Sequence, residues 1–439
     1  MNQNITVLKF GGTSLADASQ FRKVCDIVRM DEKRKYVIVS APGKRFSGDT
    51  KVTDLLIRCY NAQNEADRNA AFDVIKERYL EIESELGLSC SIGCEIDHIR
   101  GIVASGCTYS YLVSRGEYLN AILMAAYLGY DFVDAADLIF FDDKGIMDET
   151  KTYSTIRKRL SSCKQAVIPG FYGALPDGSI NTFPRGGSDI TGSVIARGIE
   201  AGLYENWTDV SGFLMTDPRI IPEAKCIDVL TYRELRELSY MGSSVLQEDT
   251  VFPVKQLGIP IHIRNTNDVN AKGTMIVADA PPANDHPITG LAGRKGFSVL
   301  LIEKMLMNNQ IGFMRKVLSL FEKHNISIEH VPTGIDTLSV VFESATATPE
   351  AIGSIIASIN RDLQVDYISY SENVALVAVV GRNMANRSGT AGSILTQLGK
   401  AGINILLLAQ PSNELNIIVG VEANHYEKTI RILYDLFND

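Results

Sequence analysis

Apolar and polar positions along the first two thirds of the chain fall into short runs whose period changes repeatedly. Thr6-Val7-Leu8-Lys9-Phe10 reads as a strand, Ala18 to Met30 as a helix, and Tyr36-Val37-Ile38-Val39-Ser40 as a second strand. Val113 to Leu128 carries a helical pattern, and Gln165 to Pro169 and Pro260 to Arg264 read as strands. This alternation predicts an α/β domain over residues 1 to about 280, a sheet with helices on its faces. Ligand loops are expected at the carboxyl ends of its strands. Pro281-Pro282 and the polar residues to Pro287 mark a linker.

The last third repeats itself at an offset of 77 positions, in pattern rather than identity. Val299, Leu301 and Ile302 fall on Leu376, Ala378 and Val379, and Gly312 falls on Gly389. Met314, Val317, Leu318 and Phe321 fall on Ala391, Ile394, Leu395 and Leu398, each set spaced as one helix face. Asn325 to Ile328 matches Gly402 to Ile405, Leu338 to Val341 matches Leu415 to Ile418, and a second helix follows in both copies. Each copy reads strand, helix, strand, strand, helix, a ferredoxin-like arrangement, and the two are expected to share a sheet. Two roles remain open for them. Their sheet edges could join subunits, or backbone N–H groups at the polar turn Asn308-Asn309-Gln310-Ile311-Gly312 could hold a carboxylate.

Composition narrows the function classes. The 439 residues are 45% hydrophobic and 22% charged, which suits several globular domains and excludes a disordered or fibrous chain. With 43 Lys+Arg against 52 Asp+Glu, the net charge is -9, so generic binding to nucleic acid or anionic membranes is disfavoured. An anionic ligand must therefore meet local positive charge. The odd number of cysteines, 7, reads as reduced thiols, and Cys90 and Cys94 lack the second ligand pair of a metal site. No signal peptide or membrane-spanning apolar run is evident. A soluble, cytoplasmic protein is expected.

Three loops hold most of the candidate chemistry. In Lys9-Phe10-Gly11-Gly12-Thr13-Ser14, paired glycines permit close backbone approach, the following N–H groups can cradle phosphate, and Lys9 supplies a point charge. A tight turn beside a surface lysine is the competing account. In Arg185-Gly186-Gly187-Ser188-Asp189, the arginine fork suits a carboxylate, while Ser188 and Asp189 could equally cap the helix predicted from Ile190 to Ala201. Glu117, in Ser114-Arg115-Gly116-Glu117, would complement an ammonium group or simply face solvent. In the segment Thr208 to Arg219, two aspartates and an arginine could orient a nucleotide or cap turns.

Taken together, KFGGTS, the RGGSD loop, the TD…TDPR segment and two C-terminal ACT-like repeats resemble aspartate kinase, from Val7 to the C-terminus. The resemblance implies ATP-dependent phosphorylation of the β-carboxylate of L-aspartate to 4-phospho-L-aspartate, at the head of lysine, threonine and methionine synthesis. It implies an amino-acid-kinase α/β/α sandwich with a mainly parallel sheet over residues 1–286. ACT units would occupy 297–372 and 373–439, with 287–296 lending the second a strand. Lys9, Gly11 and Gly12 would lie at the phosphates, with Lys9 stabilising the transferring group. Glu117 and Asp189 would face the substrate ammonium and Arg185 its α-carboxylate, supported by Ser188, with Ser40 and Thr53 nearby. Thr208, Asp209 and Arg219 match nucleotide-binding positions. Mg²⁺ would arrive with the nucleotide, with no metal site of the protein's own. Such chemistry rests on positioning and charge and needs no catalytic histidine.

The chain departs from its relatives at Ser244, where many have a nucleotide-associated lysine, and at Leu214, where many have tyrosine. The segment Gly43 to Val52 is longer than in many relatives, and its Lys44, Arg45 or Lys51 could replace the missing cation. The resemblance also implies an effector site at Met307, Asn308, Ile311, Gly312, Phe313 and Met314, with Glu329 facing an effector ammonium and Thr333 near it. Lysine is the first choice of inhibitor, with threonine or both the second. A homodimer or dimer of dimers through the ACT units is implied. The expected protein is monofunctional, with no residues left for the homoserine dehydrogenase fused to some relatives. The alternatives are another amino-acid kinase and a catalytically silent amino-acid sensor.

Overall fold

The computed structural model describes residues 2–184, 186–242, 246, 250–281, 288–384, 387–411 and 415–438. Arg185, Ser244 and the 282–287 linker lie outside the described residues. The chain forms two compact units. The first comprises residues 1–213, 226–232 and 244–280, and the second comprises 214–225, 233–243 and 281–439.

The first unit opens with β1 (Asn2–Phe10), α1 (Ala18–Arg29), β2 (Arg34–Val39), α2 (Val52–Asn61), α3 (Glu65–Glu85), α4 (Ile92–Ser105) and α5 (Tyr109–Leu128). It continues through β3 (Asp131–Phe132), α6 (Glu149–Leu160), β4 (Ala166–Pro169), β5 (Tyr172–Ala174), β6 (Ile180–Thr182), α7 (Gly187–Gly198), β7 (Ala201–Thr208) and β8 (Val229–Thr231). After α8 (Tyr232–Tyr240), which from Arg233 onward belongs to the second unit, come α9 (Val251–Lys255), β9 (Ile261–Asn265) and β10 (Thr274–Val277). Eight strands form one sheet in the order β3-β4-β2-β1-β7-β9-β10-β8, parallel except between β9 and β10.

Strand alternation sorts the side chains of β1. Leu8 and Phe10 enter a core with Phe21 of α1, Leu56 of α2, Tyr79 of α3 and Leu119 of α5. Val7 and Lys9 point to the opposite face, the one that receives α7. Because β1 lies between β2 and β7, the connections leaving these strands diverge at their carboxyl ends, the place where open α/β sheets hold their ligands.

Most boundaries agree with the pattern to within a few residues, with informative exceptions. Helix α5 starts at Tyr109, four residues before the apolar run, because Thr108 accepts a bond from the Tyr111 N–H at 3.2 Å. Helix α7 starts at Gly187, so Ser188 and Asp189 sit in its first turn rather than capping it. Gly186 is the cap, at φ 78°, a left-handed conformation that suits glycine.

The second unit contains α8, then β11 (Gly290–Glu303), α10 (Phe313–Lys323), β12 (Thr337–Glu343), α11 (Pro349–Leu363), β13 (Tyr367–Val380), α12 (Thr390–Lys400), β14 (Leu407–Ala409), β15 (Asn416–Glu422) and α13 (Tyr426–Asn438). Both repeats contribute to one sheet, β12-β11-β13-β15-β14. Gly290 to Lys295 pairs with Val380 to Ala375, and Phe297 to Glu303 pairs with β12, so β11 serves both ends of the sheet. The 77-residue offset is visible in the backbone: Gly312 and Gly389 both have positive φ before a helix, and so do Asn325 and Gly402 after one.

The strands expected from Asn325 and Gly402 are reduced. In the first copy only the bridges His330 to Val341 and Thr333 to Leu338 remain, and Pro332 between them has no N–H for the ladder. In the second copy the strand begins at Leu407. The buried face of α10 is also displaced. Phe313, Val317 and Phe321 enter the core, whereas Met314 is 44% exposed.

Candidate active site

Lys9 stands near the carboxyl end of β1, only 7% exposed, and its ammonium is 2.5 Å from Asp189 Oδ1. After it the chain turns sharply: the Gly11 N–H bonds the Trp207 carbonyl at 3.0 Å, and the Gly43 N–H bonds the Gly12 carbonyl at 2.7 Å. The loops after β1 and β2 therefore touch backbone to backbone. A Cβ on Gly12 would come within 2.8 Å of the Ala41 carbonyl oxygen. Gly12→Ala should force these loops apart at a cost of about 1–3 kcal/mol. A lowered thermal midpoint is the expected readout, and an unchanged midpoint would show that the approach is not needed.

Ala41 brings this turn against α5 beside Glu117, since a Cβ on the neighbouring Gly116 would come within 2.7 Å of the Ala41 Cβ. Glu117 is 6% exposed and its Oε2 has no hydrogen-bond partner among the described residues. Burial pushes its pKa up from 4.5 to about 8. A solvent-facing helical glutamate is therefore not what the structure contains. Nearby, Ser40 bonds the Phe10 carbonyl through its N–H at 3.2 Å and accepts from Asn120 Nδ2 at 2.7 Å through its carbonyl. Thr53 lies half-buried in the first turn of α2.

The start of α7 faces the same strand ends. Ser188, 8% exposed, lies against Gly170, where a Cβ would meet it at 2.7 Å. The next residue, Phe171, has φ 83°, an outlying conformation for a bulky side chain, and its N–H bonds Thr191 Oγ1 at 2.9 Å. Pattern reading missed Phe171, because no sequence signal marks a positive φ outside glycine and asparagine. It also missed Asn206 of β7, which donates to Asp189 Oδ1 at 2.8 Å. The signal available was a polar pair, Glu205 and Asn206, inside an otherwise apolar strand.

Of the candidate nucleotide residues, Thr208 ends β7 and Asp209 follows it exposed, with the Thr208 hydroxyl 3.2 Å from Asp209 Oδ1. Leu214 and Arg219 belong to the second unit, where Arg219 pairs with Asp217 at 2.6 Å. The loop expected to replace the missing lysine is itself tied down. Arg45 pairs with Asp49 at 3.0 Å and Glu81 at 3.2 Å, which removes it as a free cation and leaves Lys44 and Lys51 exposed. Buried Arg78 holds the loop from beneath through the carbonyls of Thr50, Gly43 and Ala16.

In the second unit, the side chains of Met307 and Phe313 are core, while Asn308 and Met314 are exposed and Ile311 is 98% exposed. Gly312 caps α10, Thr333 is exposed, and half-buried Glu329 accepts a bond from Tyr240 of α8 at 2.5 Å. Among the described residues, no group of three or more His, Cys, Asp or Glu side chains is placed to hold a metal, and no helix is long and apolar enough to cross a membrane.

Residues 4–265 match the amino acid kinase family and residues 377–437 the ACT domain. Aspartokinase 3 of Bacillus subtilis (strain 168) is 38% identical over 453 residues, 98% of this chain and 98% of that protein. The chain belongs to the aspartokinase family. The solved Clostridium acetobutylicum aspartate kinase has the same fold, with a TM-score of 0.89 at 47% identity over 99% of this chain and 100% of that one. The lysine-sensitive aspartokinase 3 of Escherichia coli (strain K12) is 25% identical over 94% of this chain and 95% of that protein. Aspartokinase architecture thus accounts for both units, the α/β kinase sheet and the ACT sheet.

Proposed function

We propose that this aspartokinase transfers the γ-phosphoryl group of ATP to the β-carboxylate of L-aspartate, giving 4-phospho-L-aspartate for lysine, threonine and methionine synthesis. The observation that carries the reading is the nearly buried ammonium of Lys9 beside a two-glycine turn, held by Asp189. A cation shielded from water stabilises the charge on a transferring phosphoryl group far better than an exposed one. Gly11 and Gly12 let the phosphates approach the backbone. The attacking carboxylate is ionised at neutral pH, so no strong base is required.

In this reading Glu117 Oε2 and Asp189 Oδ2 receive the substrate ammonium and Arg185 its α-carboxylate, with Ser188, Ser40 and Thr53 around them. Thr208, Asp209, Leu214, Arg219 and Ser244 serve the nucleotide. The phosphates carry Mg²⁺, which would neutralise charge on the leaving group. Residues 1–286 act as the catalytic domain, and ACT units over 297–372 and 373–439 regulate it in a cytoplasmic homodimer or dimer of dimers. The decisive measurement is aspartate-dependent ADP release, with glutamate as a control acceptor and with lysine, threonine or both added. No turnover with aspartate would overturn the reading.

Lysine is the proposed first effector, in keeping with the lysine-sensitive relative. Glu329→Gln keeps an acceptor for Tyr240 but removes the negative charge. The lysine concentration for half inhibition should rise about tenfold or more, as expected for a lost charge-assisted bond, with uninhibited kcat intact. Unchanged inhibition would move the effector site elsewhere.

A further inference from the structure

We infer that Asn206 is a positioning residue for the phosphoryl-transfer site: its side-chain amide fixes the Asp189 carboxylate so that Lys9 can leave it. The inference rests on the reading of Lys9 and Asp189 given above and deepens it.

Asn206 pairs with Lys9 across the β1–β7 ladder, so both side chains project from the same face of the sheet toward α7. It is 3% exposed, in a strand at the middle of the sheet. An amide buried there is unfavourable unless it is bonded. Its bond goes to Asp189 Oδ1 at 2.8 Å, the same oxygen that Lys9 approaches at 2.5 Å. A carboxylate only accepts, so the amide nitrogen must be the atom that faces it. Two residues earlier on the same strand, the Tyr204 hydroxyl donates to the Asp189 carbonyl at 3.1 Å. Strand β7 therefore holds Asp189 at both its backbone and its carboxylate.

Loading both donors on Oδ1 leaves Oδ2 without a donor among the described residues, available to an incoming ammonium. It also provides for the moment when Lys9 turns to a phosphoryl group. Asp189 then loses its cation but keeps a neutral donor that no anion in the substrate can draw away. Without Asn206, Asp189 would depend on Lys9 alone, and the lysine would be held back from the phosphates.

Two variants test this in the intact protein by aspartate-dependent ADP release. Asn206→Leu removes the donor at similar volume, and kcat should fall about tenfold, as for one charge-assisted bond, with KM for ATP nearly unchanged. Asn206→Asp sets two carboxylates against each other. The titratable groups facing that position are Lys9 from β1, Asp189 from α7 and Tyr204 from β7, while β9 brings the apolar Ile263 beside it. At low pH the new carboxyl is protonated and donates as the amide did. At high pH it ionises and joins Asp189 in gripping Lys9. Its kcat relative to wild type should therefore fall about tenfold from pH 6 to pH 9, the mark of a raised carboxyl pKa.

A purely structural role would lower the thermal midpoint without this pH-dependent ratio. A flat ratio in Asn206→Asp overturns the inference even if Asn206→Leu does not fold, and so does wild-type kcat in a folded Asn206→Leu. Failure of the underlying reading is separately visible, as absence of aspartate turnover in the wild type.

Discussion

Lys9→Met is expected to lower kcat about a thousandfold, the scale on which removing one preorganised donor acts at a site of developing charge, while leaving the fold intact. The methionine fills a similar volume, so packing between β1 and α7 is kept. Asp189 loses its cation but retains Asn206, and it is the more exposed partner, with 17% of its side chain accessible against 9% for Lys9. The stability loss should therefore fall below the roughly 3–5 kcal/mol of a fully buried broken pair. KM for ATP should change far less than kcat, because the ammonium acts mostly on charge that develops during transfer. A folded variant with kcat within fivefold of wild type would remove Lys9 from the chemical step.

Glu117→Gln is expected to separate function from stability. Burial raises the Glu117 pKa from 4.5 to about 8, so the folded chain holds a proton that the unfolded chain has released between those values. Its contribution to stability is thus fully present below pH 4.5 and lost as pH rises through about 8. The glutamine is neutral at every pH. Above pH 8 the variant should be more stable than wild type, by at most about 5 kcal/mol at 1.36 kcal/mol per unit, and the gain should vanish near pH 4. Denaturant midpoints across that range measure it.

Activity should move the other way. A substrate ammonium is met by the ionised form, so the wild-type KM for aspartate should fall as pH rises toward 8. In Glu117→Gln it should rise about a hundredfold, the scale of a lost charge-assisted bond, with no such pH dependence. A variant that matches wild type in KM would return Glu117 to a structural role.

Much of this architecture could be read along the chain. The strand at Val7–Phe10, the glycine turn after it and the 77-residue repeat rest on contiguous residues, where side-chain period and turn chemistry act locally. The edge strand broken at Pro332 and the outward turn of Met314 were not legible in the same way. They depend on which neighbour a strand pairs with and on how far a helix rotates against its sheet.

Residue identity by itself determined the α/β class, the duplicated C-terminal region and the position of the glycine-rich loops. Only the tertiary structure decided that Lys9 and Asn206 share one Asp189 oxygen, that Glu117 is buried with an oxygen unpaired among the described residues, and that Arg45 is committed to Asp49 and Glu81. The order of strands places β1 between β2 and β7, bringing groups far apart in sequence within bonding distance. The burial that follows lowers the local dielectric and sets their charge states. Neither strand order nor dielectric is a property of any short stretch of sequence.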